Sequence, residues 1–132
     1  MAKALAKDGR LVPGAGATEM ELAHRIARLA AATPGLEQYA IGKYAESLEV
    51  VPRVLAESSG LPASDVVSAL YAAHAAGRTG AGVDVSGGAN GVLADAPAAG
   101  ICDAAVVKAS ALRLASEVAI TILRVDTIIM AK

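Results

Sequence analysis

Pro13-Gly14-Ala15-Gly16 is the first stretch whose residue types could serve a ligand. Small residues let backbone approach a bound molecule closely, and a following helix N-terminus presents unpaired N–H groups and a partial positive charge. A phosphate loop of the usual kind would need Gly-Lys-Ser/Thr, which is absent, so locally the turn reads more often as an ordinary loop-to-helix junction. The second stretch is Gly82-Val83-Asp84-Val85, with Asp84 as its polar member. The third is Gly100-Ile101-Cys102-Asp103, with Lys108 five residues on. Taken alone, Asp103 stands where a helix N-cap belongs. Lys108 reads as a solvated side chain and Cys102 as a small buried hydrophobe. His24 and His74 have no Cys, His or second carboxylate at ligand spacing, so no metal site is expected. No Ser-His-Asp or Cys-His set can be assembled either, and no catalytic residue is assigned.

The elements that must position these residues are helical. Thr18 and Glu21 have the spacing of a capping box, and Leu22, Ile26 and Leu29 then recur on one stripe opposite Glu21, Arg25 and Arg28. Thr33-Pro34-Gly35 ends that helix. From Leu36 to Ser59 the period is helical again, with Tyr39, Leu48, Val51 and Leu55 inward, and Pro52 predicts a kink or two abutting helices. Gly60 and Pro62 separate a third helix, roughly Ala63 to Ala76. Residues Gly77 to Gly91 hold six glycines, with Gly82–Val85 the one strand-like piece. A glycine loop of this length is either disordered or functional. The last helix, about Ala104 to Met130, is apolar on most sides and needs neighbours around it. Met1 to Arg10 reads as a frayed lead-in.

Composition narrows the classes further. The apolar fraction is 55%, yet there is no Phe or Trp and alanine supplies much of it, which favours helices packed closely on helices. Twelve basic and 13 acidic residues leave a net charge of −1, which gives no reason to expect nucleic acid or an anionic membrane as partner. A single cysteine cannot form an internal disulfide, and Met1–Val12 lacks an apolar signal core, so a reducing, cytoplasmic setting is expected. The apolar run Val118–Leu123 is far too short to span a bilayer.

Four ordered motifs carry a family resemblance: Leu11–Glu19, Gly82–Val85, Gly100–Asp103, and Leu123-Arg-Val-Asp-Thr-Ile-Ile-Met-Ala-Lys132. In order and approximate spacing they resemble group II chaperonins, specifically those of the cytosolic complex called CCT or TRiC. The resemblance implies a piece of a longer, three-domain protein: 1–12 from the end of the intermediate domain, and 13–132 from the C-terminal half of the equatorial ATP-binding domain. That half is mainly α, a helical array with a Gly-rich loop and at most a short β segment. The parent's phosphate-binding Gly-Asp-Gly-Thr-Thr loop, its metal-binding aspartate and its water-activating aspartate have no counterpart here.

What the resemblance assigns to this chain is the nucleoside side of an ATP/ADP pocket. Gly14, Ala15 and Gly16 would pass close to ribose and adenine, the family usually having Gly where Ala15 stands. Gly82, Asp84 and Val85 match the loop that lines the base. Asp103 matches the acidic residue that accepts from the ribose hydroxyls, and Lys108 a nearby basic contact. Such a carboxylate is the right acceptor for diol donors. The parent would use ATP and Mg to fold cytosolic clients of the actin and tubulin type, within a double ring of different subunits. The chain alone is expected to be no enzyme, because phosphoryl transfer needs metal, phosphate cradle and water-positioning group together. Its last helix, without the neighbours of the missing half, is expected to drive self-association. The rival reading is a stand-alone helical interaction module whose glycine loop is only a linker.

Overall fold

The structure, a computed structural model, describes residues 2–129. Six helices and four very short strands follow one another: α1 (Ala2–Lys7), β1 (Leu11–Pro13), α2 (Ala17–Ala32), α3 (Glu37–Leu48), α4 (Val50–Ser58), α5 (Ala63–Ala75), β2 (Gly82–Val83), β3 (Val92–Leu93), β4 (Cys102–Ala104) and α6 (Ala105–Leu123). The mainly α array with a small β segment is therefore the observed fold. The chain divides into two units, Val12–Cys102 and a second made of the residues up to Leu11 together with those from Asp103 onward.

The core lies in the first unit. Met20 of α2, Ala56 of α4, and Val66, Val67, Leu70 and Ala73 of α5 pack with Ala81 and Val83 from the glycine-rich segment. The glycine segment thus contributes two core residues, and β2 pairs antiparallel with β3 in the register Gly82↔Leu93 and Val83↔Val92. The alanine content explains which helix faces meet. On α2 the buried residues are Ala17, Glu19, Met20, Ala23 and Ala30, whereas Leu29, expected inward, is exposed. On α3 and α4 they are Ala45, Leu48, Pro52 and Ala56, while Tyr39 is 71% exposed and Val51 is also exposed. Close helix approach selects small side chains at the contact and displaces larger ones to the rim.

Pro52 acts as its missing N–H dictates. The chain breaks at Glu49, α4 begins at Val50, and Pro52 falls in its first turn, where an N–H would have no intrahelical acceptor. The first bond of α4 runs from the Arg53 N–H to the Glu49 carbonyl at 3.0 Å. The expected capping box at Thr18 does not form. The N-cap of α2 is Gly16, without a side-chain cap, and the Thr18 hydroxyl instead donates back to the Pro13 carbonyl at 2.7 Å.

In the second unit, the stretch from Ala2, read as a frayed lead-in, forms α1 (Ala2–Lys7), which is built from good helix formers and lies against α6. The Ala105 N–H donates to the Arg10 carbonyl at 3.0 Å. Helix α6 ends at Leu123, short of the expected Met130, which lies outside the described residues. The β-branched Val125, Thr127, Ile128 and Ile129 that follow have low helix propensity. No residue of α6 is buried, and Leu114, Val118, Ile120, Ile122 and Leu123 are all exposed.

Truncation in the two units should therefore differ in kind. Leu70→Ala, at a fully buried site, is expected to cost about 3 kcal/mol in urea unfolding. Leu114→Ala on α6 should change it by less than about 0.5 kcal/mol. Equal losses would contradict the placement of the core.

Candidate functional site

The Pro13–Gly16 turn is built by backbone. The Gly14 N–H donates to the Ile101 carbonyl at 3.0 Å, and the Gly14 carbonyl accepts from Ala17 at 3.0 Å. Ala15 and Gly16 then both take positive φ, 53° and 75°, which swings the chain into α2. Glycine adopts this conformation freely, whereas alanine is strained there. The turn leaves the Ala15 carbonyl pointing at the glycine segment, where it accepts from the Val83 N–H at 2.8 Å. That approach is possible because residue 82 has no side chain. A Cβ on Gly82 would lie 2.8 Å from the Ala15 oxygen and 2.9 Å from the Ala15 Cβ.

The structure thus brings the first two sequence stretches together, Gly14–Gly16 against Gly82–Val83. Asp84 is directed elsewhere. Its N–H donates to the Gly91 carbonyl at 2.9 Å, and its carboxylate accepts from the Ser86 hydroxyl and from the Ser86 N–H, the latter at 3.0 Å. The hydroxyl bond chiefly, then the backbone bonds of Ser86 and Gly88, hold the Asp84 carboxyl below its ordinary value. Its side chain shapes the 84–88 turn, and Val85 is 59% exposed.

In the other unit, Asp103 is not the helix cap. The N-cap of α6 is Ala104, with no side-chain cap bond, and the Asp103 carboxylate pairs with Lys108 Nζ at 3.0 Å. Lys108 is accordingly ion-paired and mostly buried rather than freely solvated. Cys102, expected to be buried, is exposed.

The site feature that sequence reasoning missed is His74. Its side chain is fully buried at the end of α5. Nδ1 lies 2.7 Å from Glu21 Oε2 on α2, and Nε2 lies 2.9 Å from the Ala81 carbonyl, one residue before Gly82. The available signal was its phase: His74 falls on the same helical stripe as Val66, Val67, Leu70 and Ala73. Glu21, read as outward, has a side chain only 17% exposed and bonds to both His74 and Arg25. Burial pushes the Glu21 carboxyl up, but the bonds from His74 and Arg25 outweigh it and hold it below its ordinary value.

A groove of about 450 Å³ lies apart from this turn, lined by Ala30, Tyr39, Lys43 and Tyr71 among others. The Tyr71 hydroxyl there donates to Glu49 at 2.6 Å, and burial together with that carboxylate raises it above the ordinary tyrosine value. Among the described residues, no group of three or more His, Cys, Asp or Glu could hold a metal ion, and no helix is long and apolar enough to cross a membrane.

The sequence pattern of the TCP-1/cpn60 chaperonin family matches residues 1–132. The open-state monomer of a group II chaperonin from Methanococcoides burtonii superposes with a TM-score of 0.85 at 35% identity, over 92% of this chain and 30% of that one. The chain belongs to the TCP-1/cpn60 chaperonin family. Within it, the chain is 51% identical over 130 residues to T-complex protein 1 subunit theta of Homo sapiens, and 48% identical to the theta subunit of Arabidopsis thaliana. These alignments cover 98% of this chain but only 24% and 23% of those relatives, so it spans about a quarter of their length.

Two substitutions test the turn. Ala15→Gly should stabilise the fold by about 0.5–1 kcal/mol, because relief of left-handed strain exceeds the added unfolded-chain entropy. Gly82→Ala should destabilise it by more than about 2 kcal/mol, since the Ala15 carbonyl has to move. Urea unfolding measures both, and a neutral Gly82→Ala would show that the close approach is not maintained.

Acid sensitivity tests the buried pair. A carboxyl lowered in the folded state gives stability that is full above its unfolded value and is lost as pH falls through the folded one. Stability from this pair should therefore hold from neutral pH down to the ordinary carboxylate range and drop as pH falls below it, and Glu21→Gln should flatten part of that drop. An unchanged pH slope in Glu21→Gln would contradict the bonded carboxylate.

Proposed function

We propose that this chain is the C-terminal part of the equatorial, ATP-binding domain of a cytosolic chaperonin subunit, and that it supplies the nucleoside-contacting side of the nucleotide site. The observation that carries the reading is the junction of Gly14–Gly16 with Gly82–Val83 through the Ala15 carbonyl. It brings together two of the stretches that the resemblance assigns to the nucleoside pocket, packed closely because Gly82 has no side chain. By family resemblance, Asp103 accepts from the ribose hydroxyls and Lys108 lies nearby. The Asp103 carboxylate is held by Lys108 Nζ at 3.0 Å. Asp84 serves by holding its turn rather than by touching the base directly.

The longer parent hydrolyses ATP with Mg to assist folding of client proteins, in a ring shared with other subunits, in the cytoplasm. The metal ligands and the phosphate cradle belong to parts of the parent other than this chain. The chain alone binds nucleoside without turning it over. The exposed apolar stripe of α6 is the surface through which it associates.

Titration of the isotope-labelled chain with ADP, adenosine and 2′-deoxyadenosine tests the reading. Amide shifts should concentrate at Gly14–Gly16 and Gly82–Val85, the deoxy compound should bind less well, and Asp103→Asn should weaken ADP by about tenfold. ATP should not be hydrolysed above background. Shifts confined to other segments, or none at saturating ADP, would favour the interaction-module reading instead.

A further inference from the structure

We propose that His74 is a positioning residue, a buried clamp that holds the glycine segment in the register that Gly82 needs beside Ala15. The inference rests on the nucleoside reading of that backbone and assigns the residue that keeps it in place. The His74 side chain bonds to both sides of the junction. Through Nδ1 it reaches Glu21, in the second turn of the helix that begins at Gly16, and through Nε2 it reaches the Ala81 carbonyl. Ala81 and Val83 flank Gly82 and are both buried, so a shift at the Ala81 carbonyl is passed on to the Val83 N–H that bonds Ala15.

The chemistry suits a clamp. Both ring nitrogens face acceptors, a carboxylate and a carbonyl. The neutral ring donates to only one of them, so bonding both at once takes the ring with a hydrogen on each nitrogen, and imidazole is the only side-chain ring with a nitrogen on each side. A carboxamide puts its donors on one nitrogen and cannot span the two partners in the same way. Glu21 is in turn held by Arg25 at 2.6 Å, which fixes the carboxylate that orients the ring. The His74 side chain is 0% exposed, so water cannot replace either bond if the ring is lost.

Hydrogen exchange of the 132-residue chain, read amide by amide, tests the clamp. His74→Gln should speed exchange at Val83 and Asp84 by on the order of tenfold or more, while the Leu48 amide in α3 keeps its wild-type rate. Glu21→Ala should act in the same direction, and Glu21→Gln, which retains an acceptor oxygen, should act more weakly. If His74→Gln does not fold, the two Glu21 variants carry the comparison. In wild type, the His74 ring N–H resonances should shift on addition of ADP although the ring does not reach solvent. Exchange that rises equally at Val83 and Leu48 would reduce His74 to general packing and overturn the proposal, as would no change at either. Selective exchange with unchanged ADP affinity would also overturn it, by uncoupling the clamp from the ligand. If ADP binds neither wild type nor variant while the selective exchange persists, the clamp stands and the nucleoside reading falls.

Discussion

One backbone hydrogen bond, from the Val83 N–H to the Ala15 carbonyl, organises the unit from Val12 to Cys102. Three local features are spent on making it. Ala15 and Gly16 take left-handed geometry to aim the carbonyl, Gly82 gives up its side chain to allow the approach, and Val83 buries its side chain in the helical core. Strained backbone of this kind persists where its surroundings over-determine it. Here the surroundings are α2, which starts at once after Gly16, and α5, whose Leu70 and Ala73 share the core with Val83.

The buried polar groups follow from the same geometry. The Ala81 residue is fully buried, so its carbonyl oxygen needs a donor within the fold. His74 supplies it, and a buried imidazole needs a second partner, which is Glu21. A residue that sequence reading leaves as a lone histidine thus joins α2, α5 and the loop. Asp84 likewise works inside its own turn, where Ser86 and Gly91 supply its partners.

Much of the fold was legible, and for identifiable reasons. Pro52, Gly60 and Pro62 mark helix boundaries because missing N–H groups and flexible backbone act locally. The four ordered motifs identify the family because their glycines and carboxylates are tied to fixed positions. Which faces pack was less legible. Periodicity weights large side chains, whereas these helices meet through Ala23, Ala30, Ala45 and Ala56 and leave Leu29 and Tyr39 outside. Caps were misread for a related reason. Thr18 and Asp103 have the right types at the right spacing, yet each found a nearer partner, the Pro13 carbonyl and Lys108. Partner choice of that kind depends on tertiary placement, which spacing alone does not encode.

Helix α6 shows what a quarter-length stretch of a larger fold keeps and what it lacks. None of its residues is buried, and Leu114, Val118, Ile122 and Leu123 stay exposed. The unit from Val12 to Cys102, by contrast, holds its own core and its own polar pairs. Its central bond can be observed directly, as the scalar coupling across the hydrogen bond between the Val83 amide nitrogen and the Ala15 carbonyl carbon in labelled protein. A resolved coupling, with that amide among the slower to exchange, is the predicted result. No coupling, together with exchange as fast as in the exposed Ser86–Gly88 turn, would contradict the account.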